Sequence, residues 1–255
     1  MLAAISALTD YSVDASDGRF GTVKDFLFDD RNWRIRWVVV NAGTWLTGRN
    51  VLVHPSAIQQ ADHDRETIVA ALTKAHVESS PGIHVDEPVS MQMESRLHDH
   101  YDWDAGWAGN YFAGGTLAAP LGAPPLFSTA AIHRPDRTPF EADPSDPHLR
   151  SCAEVTGYHI HASDGEIGHA DNFLVDDASW DIRYFIVDTR NWWPGQQVLL
   201  SPCAVREIAW PGQHIWLDVD RGRVKASPPW DPFKMIDEAY RHGLHRHYGW
   251  PRYGS

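Results

Sequence analysis

Residues 17–41 (DGRFGTVKDFLFDDRNWRIRWVVVN) occur twice, and this repeat constrains the fold more than any other feature of the chain. The second copy is residues 164–188 (DGEIGHADNFLVDDASWDIRYFIVD). Tyr11 matches Tyr158 and Trp103 matches Trp250 at the same offset of 147 residues, with no gap between. A repeat this long is a pair of domains, because solenoid units run to roughly 20–50 residues. The chain therefore reads as two copies of one module and a connecting segment.

Each copy opens with Asp-Gly, Asp17-Gly18 and Asp164-Gly165, followed by Gly21 and Gly168. Asp-Gly supplies the positive-φ residues of a tight hairpin. A strand is expected over 22–28, a turn at Asp29-Asp30-Arg31-Asn32, and a second strand over 33–40. The two-residue period puts Ile35, Trp37 and Val39 on one face and Arg36, Val38 and Val40 on the other. The copy keeps both faces, with Arg183, Phe185 and Val187 on the second. Short strands are expected at 50–53 and 67–72, and at 197–200 and 214–219. A strand over 2–13 opens the first module, and short helices are expected at 73–80, 89–100 and 236–247. Five or six short strands per copy point to a small closed or partly closed barrel.

The ordered set of Asp-Gly-x-x-Gly, a strand, Asp-Asp, an aromatic-led strand and an apolar strand ending in proline resembles the PRC-barrel. That module occurs in the cytoplasmic domain of a photosynthetic reaction centre protein, in the C-terminal half of the ribosome maturation factor RimM, and in small bacterial proteins. The resemblance implies an all-β fold with short helices: two tandem small barrels, each followed by a helix. It also implies docking onto a protein complex.

The 255 residues are 43% hydrophobic and 22% charged, which fits a globular chain. Net charge is −12 and no basic face is visible, so nucleic-acid binding is not expected. No apolar run reaches the roughly 18–20 residues of a membrane span. Two cysteines, Cys152 and Cys203, do not make a disulfide framework, and a reduced cytoplasmic protein is the expectation. The expected domains are residues 1–103, a Gly/Ala/Pro-rich linker over 104–154, and residues 155–255.

No nucleophile elbow, phosphate loop, CxxC pair or HExxH occurs, and no catalytic residue or cofactor is assigned. Asp29-Asp30 and Asp176-Asp177 suit turns better than paired acid/base carboxylates. Arg36 and Arg183 call for carboxylate partners, and Asp25 is the candidate for Arg36. His98, His100, His245 and His247 are candidate metal ligands, although histidines two apart on a helix point about 200° apart. Trp45, Trp192 and Trp193 are candidates for an interaction surface. So are Val38, Val40, Phe185 and Val187, because a barrel interior covers one strand face only. Matching apolar patches on two copies suggest an internal pseudo-dimer, with further homo-oligomers open. The functional expectation is a non-enzymatic protein-binding or assembly module whose partner is unknown. The alternative is a metal- or small-molecule-binding protein that uses the histidine-rich helix ends.

Overall fold

The computed structural model describes residues 1–46, 48–80, 148–189, 196–232 and 236–251. They form two mixed seven-stranded sheets. The chain begins with β1 (Leu2–Ala4) and helix α1 (Ile5–Leu8). β2 (Ser12–Ala15), β3 (Gly18–Asp29), β4 (Arg34–Asn41), β5 (Asn50–Val53), β6 (Ile58–Asp62) and β7 (Thr67–Ala70) follow, then helix α2 (Lys74–Ser79). The second half repeats this order. It has β8 (Leu149–Ser151), α3 (Cys152–Val155), β9 (His159–Ala162), β10 (Gly165–Asp176) and β11 (Ile182–Asp188). β12 (Gln197–Leu200), β13 (Val205–Ala209), β14 (His214–Leu217), α4 (Arg221–Lys225) and α5 (Glu238–Tyr248) complete it.

The strand orders are β5-β4-β3-β2-β7-β6 and β12-β11-β10-β9-β14-β13. Neighbours are antiparallel except β2 with β7 and β9 with β14. The expected barrels are open sheets, because β5 and β6, and β12 and β13, are not hydrogen-bonded to each other. The reason lies in Pro55 and Pro202, which have no N–H to donate to a ladder. They lead instead into one-turn 3-10 segments, Pro55–Ala57 and Pro202–Ala204.

The seventh strand of each sheet comes from the other half. β1 pairs with the end of β10, Leu2 opposite Asp176 and Ala4 opposite Leu174. β8 pairs with the end of β3, Leu149 opposite Asp29 and Ser151 opposite Leu27. The expected single strand over 2–13 is therefore β1, α1 and β2, and only β2 stays in its own sheet. β8 and most of α3 fall inside the span 104–154 read as linker. β6 and β13 were not expected; Gln59 and Gln60 in the first of them mask any alternation.

Where the halves meet, the contacts run symmetrically about Arg34 and Asp181, which are each other's counterparts. The Arg34 Nε donates to Asp181 Oδ1 at 2.6 Å, across the 147-residue offset. The Ile35 N–H donates to the Trp180 carbonyl, and the Ile182 N–H to that of Trp33. Trp33 and Trp180 take left-handed backbone conformations, φ 58° and 59°, which bulky residues adopt only under constraint. Their rings anchor an aromatic cluster: Trp33 lies 4.9 Å from Phe185 and 5.2 Å from Phe28, and Trp180 stacks on Phe26 at 6.1 Å. Phe173 joins Phe28 to Phe185.

Bulges break the alternation expected in β4. Leu27 opposes Trp37 but Phe28 opposes Ile35, so Arg36 is the extra residue. Arg183 is its counterpart, between Ile182 and Tyr184. Ile35 consequently joins Val38 and Val40 in the main core cluster, while Trp37 and Val39 are buried outside it.

The Asp-Gly turns work as expected at glycine and do more at aspartate. Gly18 and Gly165 sit at φ 117° and 145°. The Asp17 carboxylate accepts from the Lys74 N–H and Asp164 from the Arg221 N–H, tying each hairpin to the helix after its last strand. Gly21 and Gly168 allow close strand approach: a Cβ would lie 2.4 Å from the Asn41 carbonyl oxygen and 1.9 Å from that of Asp188.

Asp25 accepts from the Ser151 hydroxyl and the Ala153 N–H, while its counterpart Asn172 accepts from the Ser6 N–H and donates its amide to the Ser6 hydroxyl. Burial pushes the Asp25 carboxyl up, beyond what these hydrogen bonds bring down. A raised acid contributes less stability as pH rises through its folded pKa. Asp25→Asn should therefore melt higher than the parent at pH 7, and the gap should shrink below the ordinary aspartate value of 3.8. Thermal melts at pH 7 and pH 3 check this; a lower melting temperature at pH 7 would show that the charge itself is needed.

Candidate functional site

The sequence-derived candidates divide sharply. Val38, Val40, Phe185 and Val187 are all buried, and Phe185 meets Trp33 of the other half. They are thus withdrawn from any outside partner. His98, His100, Trp192 and Trp193, and the Trp45 side chain, lie outside the described residues. His245 is buried, and both ring nitrogens are occupied: Nδ1–H donates to the Pro251 carbonyl at 2.6 Å, and Nε2 accepts from the Tyr184 hydroxyl at 2.9 Å. His247 is bound through Nε2 to the Arg223 carbonyl. His245 thus docks α5 onto β11, and His247 ties it to α4.

The arginines find carboxylates, but Asp25 is not one of them. Arg36 pairs with Asp29, and Arg183 with Asp176 and Asp181. An Arg–Asp pair is therefore shared by both copies, with Asp29 and its counterpart Asp176 as the acids. The second aspartate of each pair serves the exchange. Asp30 binds His148 and Arg150, and Asp177 binds the Met1 amino group and His63. The Asp29 carboxyl lies below the usual range: burial opposes this, and hydrogen bonds and charge from Arg31, with Arg36, outweigh it.

A groove of about 910 Å³ opens where the halves meet. It is lined by five arginines, Arg31, Arg34, Arg150, Arg183 and Arg206, against three carboxylates, Asp30, Asp181 and Glu207. Trp33 and Trp210 add aromatic surface, and the Arg150 guanidinium lies 4.1 Å over the Trp210 ring.

A second cluster lies on one face of the β10-β9-β14 ladder. β9 is central, and His159 stands beside His169 on one side and His214 on the other. One step along, His161 stands between Glu166 and Trp216. His159 and His161 share a face because side chains alternate along a strand. The His159 Nδ1–H donates to Glu166 at 3.0 Å, and this bond, first, holds the Glu166 carboxyl below its ordinary value. His161 and His214 share a hydrogen bond of 2.9 Å, and His161 also stacks on Trp216 at 4.3 Å. The ligand-bearing atoms of His159, Glu166 and His169 all lie within 4.8 Å of one another, a spacing that a metal ion could close. None of these residues was singled out in the sequence. The signal available was His-x-His in a strand, which shares a face as His-x-His in a helix does not.

Residues 9–77 match the PRC-barrel domain. The PRC-barrel match thus spans β2 to β7 and most of α2, and it begins after β1, the strand given to the other half. No curated protein matches the chain. Among the described residues no helix is long and apolar enough to cross a membrane.

Burial, first, holds the His245 pKa below the ordinary 6.5. A depressed histidine contributes stability that is complete above the unfolded value and is lost as pH falls through the folded one. Docking of α5 should weaken on acidification below about pH 6.5. Melting temperature measured from pH 8 to pH 5 should fall less steeply in His245→Gln than in the parent; parallel curves would remove His245 from the account.

Proposed function

We propose that the chain is a double PRC-barrel module, a non-enzymatic docking unit that binds an acidic segment of a protein partner in the bacterial cytoplasm. The observation that carries this reading is the arginine-lined groove at the junction of the halves. In a chain of net charge −12, five arginines gather along this groove, and Asp29, Asp30, Asp176 and Asp181 pair with four of them and hold their guanidinium groups in place. Guanidinium groups held ready in this way suit the carboxylates of an acidic segment. The half-buried Trp210 adds flat apolar surface of the kind enriched where proteins bind each other.

The second half is read as another PRC-barrel copy, and the two halves as an internal pseudo-dimer. Support comes from the repeated strand order, the 147-residue offset of the Arg34–Asp181 pair and the reciprocal pairing of β1 and β8. An isologous contact is reciprocal, residue i meeting j and the counterparts of i and j meeting in turn, and the Ile35–Trp180 and Ile182–Trp33 bonds follow that pattern. The groove then belongs to neither half alone, since its lining draws Arg31 and Arg34 from one and Arg183 and Arg206 from the other.

Two measurements test this. Arg34→Asp and Asp181→Arg should each cost about 1–3 kcal/mol in denaturant melts, and the double variant should recover most of the loss. A double variant as unstable as the sum of the two would sink the pseudo-dimer reading. For docking, a photo-crosslinking residue at Arg206 should capture one defined partner in the native host through an acidic segment. Arg31→Glu should reduce that capture roughly tenfold, as close charge pairs at interfaces do. Equal capture by a probe at the exposed Arg65, outside the groove, would overturn the assignment.

A further inference from the structure

The histidine face of the second half is a feature that the sheet itself does not require. The first half builds the same three-stranded ladder, β3-β2-β7, with no histidine on it. Ser12, Asp14, Arg19, Thr22, Thr67 and Val69 stand where the second half has His159, His161, Glu166, His169, His214 and Trp216. The internal copy is a control: packing and ladder geometry are satisfied without these side chains. Their presence calls for another reason.

We infer that His159, Glu166 and His169 form a binding site for a divalent transition metal of the zinc class. Two imidazoles and one carboxylate are a donor set that suits zinc, cobalt or nickel and does not suit calcium or magnesium, which take oxygen ligands. The donors come from adjacent strands of one sheet, so the backbone ladder fixes their positions. Their ligand-bearing atoms lie within 4.8 Å of each other, and bonds of about 2.0–2.2 Å to a central ion would draw them closer by small side-chain rotations. The His159 Nδ1 and Glu166 Oε1 already lie 3.0 Å apart, close to the spacing of two ligands on one ion, and a metal would take the place of the proton they share. His214 flanks the site, its ring 5.2 Å from that of His159, and is held by His161, which Trp216 backs. The His159 and Glu166 side chains are 42% and 47% exposed, so a metal can enter directly and keeps a side open to solvent. Three protein ligands leave a coordination position there for water or for a side chain of another molecule.

The test is calorimetric titration of zinc into the full chain, purified without a histidine tag and stripped of metal, with visible spectra of the cobalt-loaded protein. One ion per chain and cobalt bands of nitrogen–oxygen ligation are expected. His159→Ser with His169→Thr installs the residues that the first half carries in the same strands. This variant should melt as the parent does without metal and bind zinc at least roughly tenfold more weakly. Glu166→Gln, a change at an exposed position, should also weaken binding and serves if the double variant fails to fold. His247→Gln should leave affinity unchanged. Absence of stoichiometric binding, or affinity unaltered in both the double variant and Glu166→Gln, would overturn the site.

Discussion

The far ends of β3 and β10 set the terms for the rest of the structure. Each strand is 12 residues long, but on one side β2 or β9 reaches only its first third. Beyond that point the backbone donors and acceptors at Leu27–Asp29 and at 174–176 need partners, since unpaired main chain next to a buried core is costly. Three residues from the opposite half supply them. Once those strands cross, α1 and α3 must sit on the foreign sheet, the second aspartate of each Asp-Asp pair must hold the crossing segment, and Trp33 and Trp180 must turn back in strained conformations.

Much of this was legible in the sequence, and the failures have physical causes. The repeat, the turns at Gly18 and Gly165, the strands before and after Asp29, and the short helix expected at 73–80 follow from local chemistry and appear in place. The segment 2–13 misled because its apolar residues suit a strand and a short helix alike. Which half a three-residue strand joins is a question of long-range pairing, on which local pattern is silent. The bulge at Arg36 moved Ile35 relative to Trp37, and a two-residue period has no means of anticipating an inserted residue. Arg36 found Asp29 and not Asp25 because Asp25 is claimed by Ser151 and Ala153, residues more than a hundred positions away. The histidine face escaped for a related reason: His169 and His214 approach His159 only through strand pairing.

The duplication separates what the scaffold needs from what one copy has acquired. Features common to both halves, such as the Arg–Asp pairs, the bulges and the aspartate ties to α2 and α4, are structural. Features of one half alone stand out against that background. Asn172 replaces Asp25, accepting from the equivalent backbone N–H without the charge. The histidine ladder has no counterpart at all, and the groove takes its Trp210 wall from the second half only.

The exchange of end strands also bears on how the chain is made. A ribosome delivers the tip of β3 long before β8 exists, because about 120 residues separate Asp29 from Ser151. At ordinary elongation speeds that interval is on the order of ten seconds. Through it the nascent first sheet carries an open edge beside Phe28, and β1 has no β10 to join. Open edges of this kind recruit strands from neighbouring chains. The excess of negative charge along the polypeptide opposes such encounters while the missing strand is still being synthesised.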